Sequence, residues 1–100
     1  MLESEIEQKI VAWAENRRWI SRKLQYVGRV GCPDRLFVGY GHVIFMEMKA
    51  PGKMPSLSQI TEHNRFADAG VTVHVIDDVE DGVAVLRFCM DNPISPKTFD

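Results

Sequence analysis

Residues 42–49 read His-Val-Ile-Phe-Met-Glu-Met-Lys, an apolar run that ends in a carboxylate and an ammonium. Its β-branched and aromatic content makes it the clearest strand in the chain. Side chains alternate across a strand, so Val43, Phe45, Glu47 and Lys49 share one face. Glu47 and Lys49 then project roughly 7 Å apart along it. Two charges at the end of an apolar face cost free energy unless they are paired or bound to something. Burial also displaces their pKa values, which catalysis can use. A fold for this chain must bring that end of the strand to a partner.

The surrounding pattern supplies the other elements. Pro51, Gly52 and Pro55 stop the strand. Arg35 to Gly39 predicts a second strand, joined to the first by a tight hairpin at Gly39-Tyr40-Gly41. Residues 19–26 predict a further strand, and Gly28 to Pro33 a loop. Residues 4–16 carry Ile6, Ile10, Trp13 and Ala14 at helical spacing, with Ser4 and Glu7 as a capping box. Residues 56–69 predict a second helix with Leu57, Ile60, His63 or Asn64, and Ala67 inward, ended by Gly70. Val71 to Ile76 reads as a buried strand and residues 78–90 as a last helix. The order α-β-β-β-α-β-α predicts an α/β domain with a mixed four-stranded sheet flanked by helices. At 100 residues one domain is expected, over 1–91, with 92–100 a flexible C-terminal tail. So short a chain buries a modest core, which dimerisation would reinforce.

Composition narrows the setting. No apolar run approaches the ~18 residues of a membrane span, and the acidic start lacks the pattern of a signal peptide. Cys32 and Cys89 form no CxxC and read as free thiols of a reducing compartment, which points to the cytoplasm. The net charge of −2 conceals an asymmetry. From Lys9 to Lys53 there are nine Lys or Arg and three acids, whereas from Asp68 to Asp100 there are seven acids, Arg87 and Lys97. A basic front half suits a protein that presents one face to phosphate.

Asp34 follows Pro33 at the start of the second strand. If that strand forms a hairpin with residues 42–49, Asp34 and Glu47 meet at one end of the sheet. Two carboxylates with a lysine suit Mg²⁺ or Mn²⁺ rather than zinc. Such a metal polarises a phosphodiester and lowers the pKa of a bound water. Lys49 can orient that water, help deprotonate it, or stabilise phosphate charge. Blander roles stand beside these: a solvated ion pair for Glu47 and Lys49, and a turn aspartate for Asp34. His42, His63 and His74 have no ligand spacing and read as structural or exposed.

Asp34, twelve residues, then Glu47-Met48-Lys49 resembles the PD-(D/E)xK nucleases, whose restriction-endonuclease-like core has the same element order. More narrowly, Gly31-Cys32-Pro33-Asp34-Arg35-Leu36, Glu47-Met48-Lys49-Ala50-Pro51-Gly52 and the later Ser58-Gln59 look like the VRR-NUC family. The resemblance covers residues 3 to 88. It implies a metal-dependent endonuclease acting on branched DNA. Stand-alone bacterial and phage members resemble Holliday-junction resolvases and work as homodimers, in the cytoplasm of a bacterial cell or a phage-infected host. It also implies a metal held by Asp34, Glu47, the backbone carbonyl of Met48 and a helical carboxylate, Glu7, with Glu3 as its competitor. Gln59 takes a supporting catalytic role in that reading. Capping is the rival role for Glu7, and for Gln59 through Ser56. Lys23, Arg29, Arg35 and Lys53 flank these positions and are candidate phosphate contacts. Two alternatives remain: a monomeric flap or nicking endonuclease of the same fold, and a DNA-binding subunit without activity. Nothing resembles a base-reading helix.

Overall fold

In the computed structural model, which describes residues 1–96, the elements run α1 (Glu3–Glu15), β1 (Ile20–Lys23), β2 (Arg35–Gly39), β3 (His42–Met48), α2 (Leu57–Asp68), β4 (Val73–Ile76) and α3 (Val79–Asp91). The hairpin organises the sheet. Gly39 pairs with His42 across Tyr40 at φ 55° and Gly41 at φ 82°. Positive φ at both central residues matches the twist of the two strands. Tyr40 is held in this conformation by its ring, 5.2 Å from that of Trp19, and by its hydroxyl, which donates to the Arg17 carbonyl. The strands lie in the order β1-β2-β3-β4, the first two pairings antiparallel and β3–β4 parallel. Helix α2 forms the crossover that a parallel pair requires.

The register separates two faces. Phe37, Met46, Met48 and Ile76 point to one, where α1 and α3 cover them with Ile6, Ile10, Ala14, Leu86 and Cys89. Burying a side chain such as Phe37 or Ile10 contributes about 2–3 kcal/mol. The opposite face carries Phe45, Glu47 and Val75 and lies under α2, whose Phe66 meets Phe45 edge-on at 5.1 Å. Away from α2 this face is open, and Ile20 and Val43 are about half exposed.

Several local features depart from expectation for physical reasons. Helix α1 starts at Glu3, and the Glu5 carboxylate, not Glu7, accepts a hydrogen bond from the Leu2 amide. The Ser4–Glu7 capping box therefore does not form. In α2, Leu57 and Ile60 face solvent, while Gln59, Glu62, His63 and Phe66 turn inward. The surface under this helix carries Glu47, so polar side chains rather than the apolar stripe have partners there. Strand β1 is shorter than residues 19–26, although the Leu24 amide still donates to the Asp34 carbonyl. The expected tail begins tied down: the Ile94 amide donates to the Tyr40 carbonyl, and His42 Nε2 lies 2.7 Å from the Asn92 carbonyl. Its last four residues, 97–100, lie outside the described residues. Among the described residues no helix is long and apolar enough to cross a membrane.

Candidate active site

The sheet brings Asp34, Glu47, Lys49 and Gln59 together. Strand β2 begins at Arg35, so the amide of Met48, near the end of β3, has no backbone partner on the β2 side. The Asp34 carboxylate takes that place, accepting the Met48 N–H at 2.8 Å. The amide and carbonyl of one strand residue point to the same neighbour, so the Met48 carbonyl also faces Asp34. On the other side the Lys49 amide donates to Ile76, which holds the end of β3 against β4.

Glu47 is 1% exposed. Its Oε2 accepts from Gln59 Nε2 at 2.8 Å and lies 3.5 Å from the Lys49 ammonium. Its Oε1 is buried without a hydrogen-bond partner. Burial, reinforced by the negative charge of Asp34 and opposed by Lys49, pushes the carboxyl up to about 7. An orphaned oxygen on such a group is costly to bury. A hard divalent cation seated there would satisfy Oε1 and the carboxylate charge together, so these donors fit one.

Gln59 combines the helix cap with a hydrogen bond to Glu47. Its side-chain carbonyl accepts the Ser56 amide at 2.9 Å, and the Ser56 hydroxyl accepts the Gln59 amide at 3.3 Å, forming the capping box of α2. Its remaining NH₂ donates to Glu47.

Glu7 is placed elsewhere. Its carboxylate accepts from Arg35 Nε at 2.7 Å and from Lys23 Nζ at 3.0 Å, and Arg35 also reaches Ser21. Register puts Lys23 and Arg35 on the face covered by α1 and α3, opposite to Glu47. Burial acts to raise the Glu7 carboxyl, but the two cations hold it below its ordinary value. Among the described residues no group of three or more His, Cys, Asp and Glu is placed to share a metal, so the expected third carboxylate is not brought to Asp34 and Glu47. Glu3 is exposed in the first turn of α1. Of the candidate phosphate contacts, Lys23 and Arg35 are engaged with Glu7. Arg29 and Lys53 are exposed and make no ion pair among the described residues.

Of the inward residues of α2, Glu62 escaped the sequence reading, whereas His63 was named as one of two alternatives for an inward position. Glu62 is 6% exposed, and the Tyr26 phenol and Arg65 beside it hold its carboxyl below the usual range. The same environment pushes Tyr26 up to about 12, burial first and Glu62 next. His63 has a buried Nε2 without a partner, and burial together with the charge of Lys49 pushes the imidazole down. The signal for Glu62 was helical spacing from Gln59, three residues on. Cys32, next to Pro33, has a thiol pushed up by burial, opposite to the shift of a reactive cysteine.

A comparison with models of protein families gives no match. The chain is 40% identical over 76 residues to "Putative nuclease p44" of Acyrthosiphon pisum secondary endosymbiont phage 1, covering 75% of this chain and 82% of the other. It is also similar to a solved structure described as "VRR_NUC domain", at 29% identity and a TM-score of 0.77, covering 85% of this chain and 94% of that one.

Proposed function

The chain belongs to the VRR-NUC nucleases, and from that premise we propose that it is a Mg²⁺- or Mn²⁺-dependent endonuclease that hydrolyses phosphodiesters in branched DNA. The observation that carries the metal dependence is the buried, unpartnered Oε1 of Glu47 beside Asp34. Asp34, Glu47 and the Met48 carbonyl would hold the cation. Bound there, it supplies polarisation of the phosphodiester and a lowered pKa for the attacking water.

The chain's own groups do the rest. Gln59 fixes the rotamer of Glu47, and the Met48 amide fixes Asp34. Lys49, 16% exposed and charge-paired with Glu47, keeps donors free to orient the water and to stabilise charge on the phosphate. Resolving a four-way junction takes two symmetric cuts, and each chain carries one such site. A C₂ homodimer supplies both, so the substrate we favour is a Holliday junction, met in the cytoplasm of a bacterial cell or phage-infected host.

The test is a cleavage panel of junction, flap, splayed arm and linear duplex with Mg²⁺ and Mn²⁺, run beside native mass measurement. Junction cleavage by a dimer, abolished in Asp34→Ala and reduced 10²-fold or more in Lys49→Ala, is the expected result. Cleavage that survives both substitutions would exclude this site. A monomer that cuts flaps would replace the resolvase reading, and no cleavage of any substrate would leave a DNA-binding subunit.

A further inference from the structure

The Gly28–Val30 loop and the first turns of α2 line an open cleft of about 800 Å³. Its walls combine two features that rarely meet on a solvated surface. Val30 and Leu57 present apolar side chains at 72% and 80% exposure. Arg29 and Arg65 present guanidinium groups. Arg29 has no ion-pair partner among the described residues. Arg65 is more than half exposed and reaches the buried Glu62 at 3.4 Å. The cleft therefore combines exposed apolar and cationic side chains.

Its walls are also fixed to the site. Gly31 has φ +89°, and a Cβ there would lie 2.6 Å from the Ser58 carbonyl, so the loop rests directly on α2. Ser58 lines the cleft and adjoins Gln59, the residue that donates to Glu47. A ligand in the cleft would therefore rest on the two segments that lead into Asp34 and Gln59.

A stacked base pair hides its faces and offers such a cleft nothing apolar. An unstacked nucleotide offers both a base face and a phosphate, and arginine binds either by stacking or by its paired N–H groups. We propose that this cleft seats one unstacked nucleotide of the branched DNA, with its base against Val30 and Leu57 and its phosphate on Arg29 and Arg65. The proposal rests on the reading of the chain as a branched-DNA nuclease. It gives that reading a source of preference for branch points, where bases are already loosened, over continuous duplex.

The experiment uses the full chain in EDTA with a four-way junction and a linear duplex of the same arm sequence, 2-aminopurine replacing one branch-point base at a time. Wild type should bind the junction more tightly and brighten the probe at one branch position. In Val30→Ser/Leu57→Ser the junction-over-duplex preference should fall about tenfold and the brightening should vanish. Its melting temperature should hold, since both side chains are exposed. Arg29→Gln should weaken both DNAs and lower the salt dependence by about one counterion. A double variant that keeps wild-type preference and brightening overturns the cleft assignment while leaving the nuclease reading intact. Wild type without junction preference overturns the branched-DNA reading and this proposal with it. A double variant that turns from dimer to monomer assigns the cleft to a second copy of the chain instead.

Discussion

Replacing Glu47 by glutamine is expected to stabilise the metal-free protein, and to do so increasingly as pH rises. The Glu47 carboxyl sits at about 7 instead of near 4.5, chiefly through burial and then through the charge of Asp34. Between those values the folded protein keeps a proton that the unfolded chain has released. Native stability therefore falls as pH climbs from about 4.5 to about 7, and stays lowered above that window. At about 1.4 kcal/mol per pH unit, the interval amounts to about 3 kcal/mol. Glutamine has nearly the same shape and cannot ionise, and its amide oxygen can still accept from Gln59. Lys49 loses its carboxylate at 3.5 Å but keeps contact with water. Urea unfolding of wild type and Glu47→Gln in EDTA at pH 4.5, 7 and 8.5 measures the effect. The two should be nearly equal at the lowest pH, with the variant ahead by about 3 kcal/mol at the highest. Adding Mn²⁺ should close most of that gap, because the cation stabilises wild type by about 2.7 kcal/mol at a hundred times its Kd and lacks its site in the variant. A gap that does not grow with pH, or equal metal stabilisation of both proteins, would refute the reasoning.

Other perturbations separate chemistry from fold. Gln59→Glu keeps a capping side chain on α2 but sets a second carboxylate against the buried Glu47, so cleavage should fall 10- to 100-fold and the urea midpoint should drop more at pH 8.5 than at pH 4.5; Gln59→Ala should lose activity and also about 1 kcal/mol of stability. Glu7→Gln should cost about 2 kcal/mol at neutral pH by weakening charge-assisted bonds to Arg35 and Lys23, while Mn²⁺ affinity by calorimetry stays unchanged. Because the Glu7 carboxyl is held below its ordinary value, its contribution is present above pH 4.5 and lost as pH falls through the folded value; a large loss of Mn²⁺ affinity would instead restore Glu7 as a metal ligand. Gly31→Ala should destabilise by about 1–3 kcal/mol, read by thermal unfolding, through its positive φ and the Ser58 carbonyl in the path of the new methyl.

The sheet was legible because its signals are local. Alternation in residues 42–48 and the Gly39-Tyr40-Gly41 turn predict the hairpin, and the hairpin alone brings Asp34 toward Glu47. What escaped depends on partners distant in sequence. An apolar stripe suggested Leu57 and Ile60 as the inner face of α2, but the surface beneath contains Glu47, so the helix turns Gln59, Glu62 and His63 inward and leaves Leu57 in water. Glu7 was read as a metal carboxylate on resemblance, with a cap to Ser4 as its rival, whereas its position is decided by Arg35 and Lys23, on strands that the sequence could not pair with α1 unaided. Capping and contact with Glu47 coexist at Gln59 because one amide has two ends, an acceptor and a donor.

That double use of Gln59 ties the chemistry to the fraying of a helix end. First turns open far more often than a sheet does, at a cost below that of global unfolding. Each time the start of α2 opens, Ser56 loses its acceptor and Glu47 its donor in the same event. The enzyme can then be folded by every spectroscopic measure and still have a disassembled centre. On warming, cleavage should fade ahead of the melting of the sheet, so the working temperature range is set by one turn of helix.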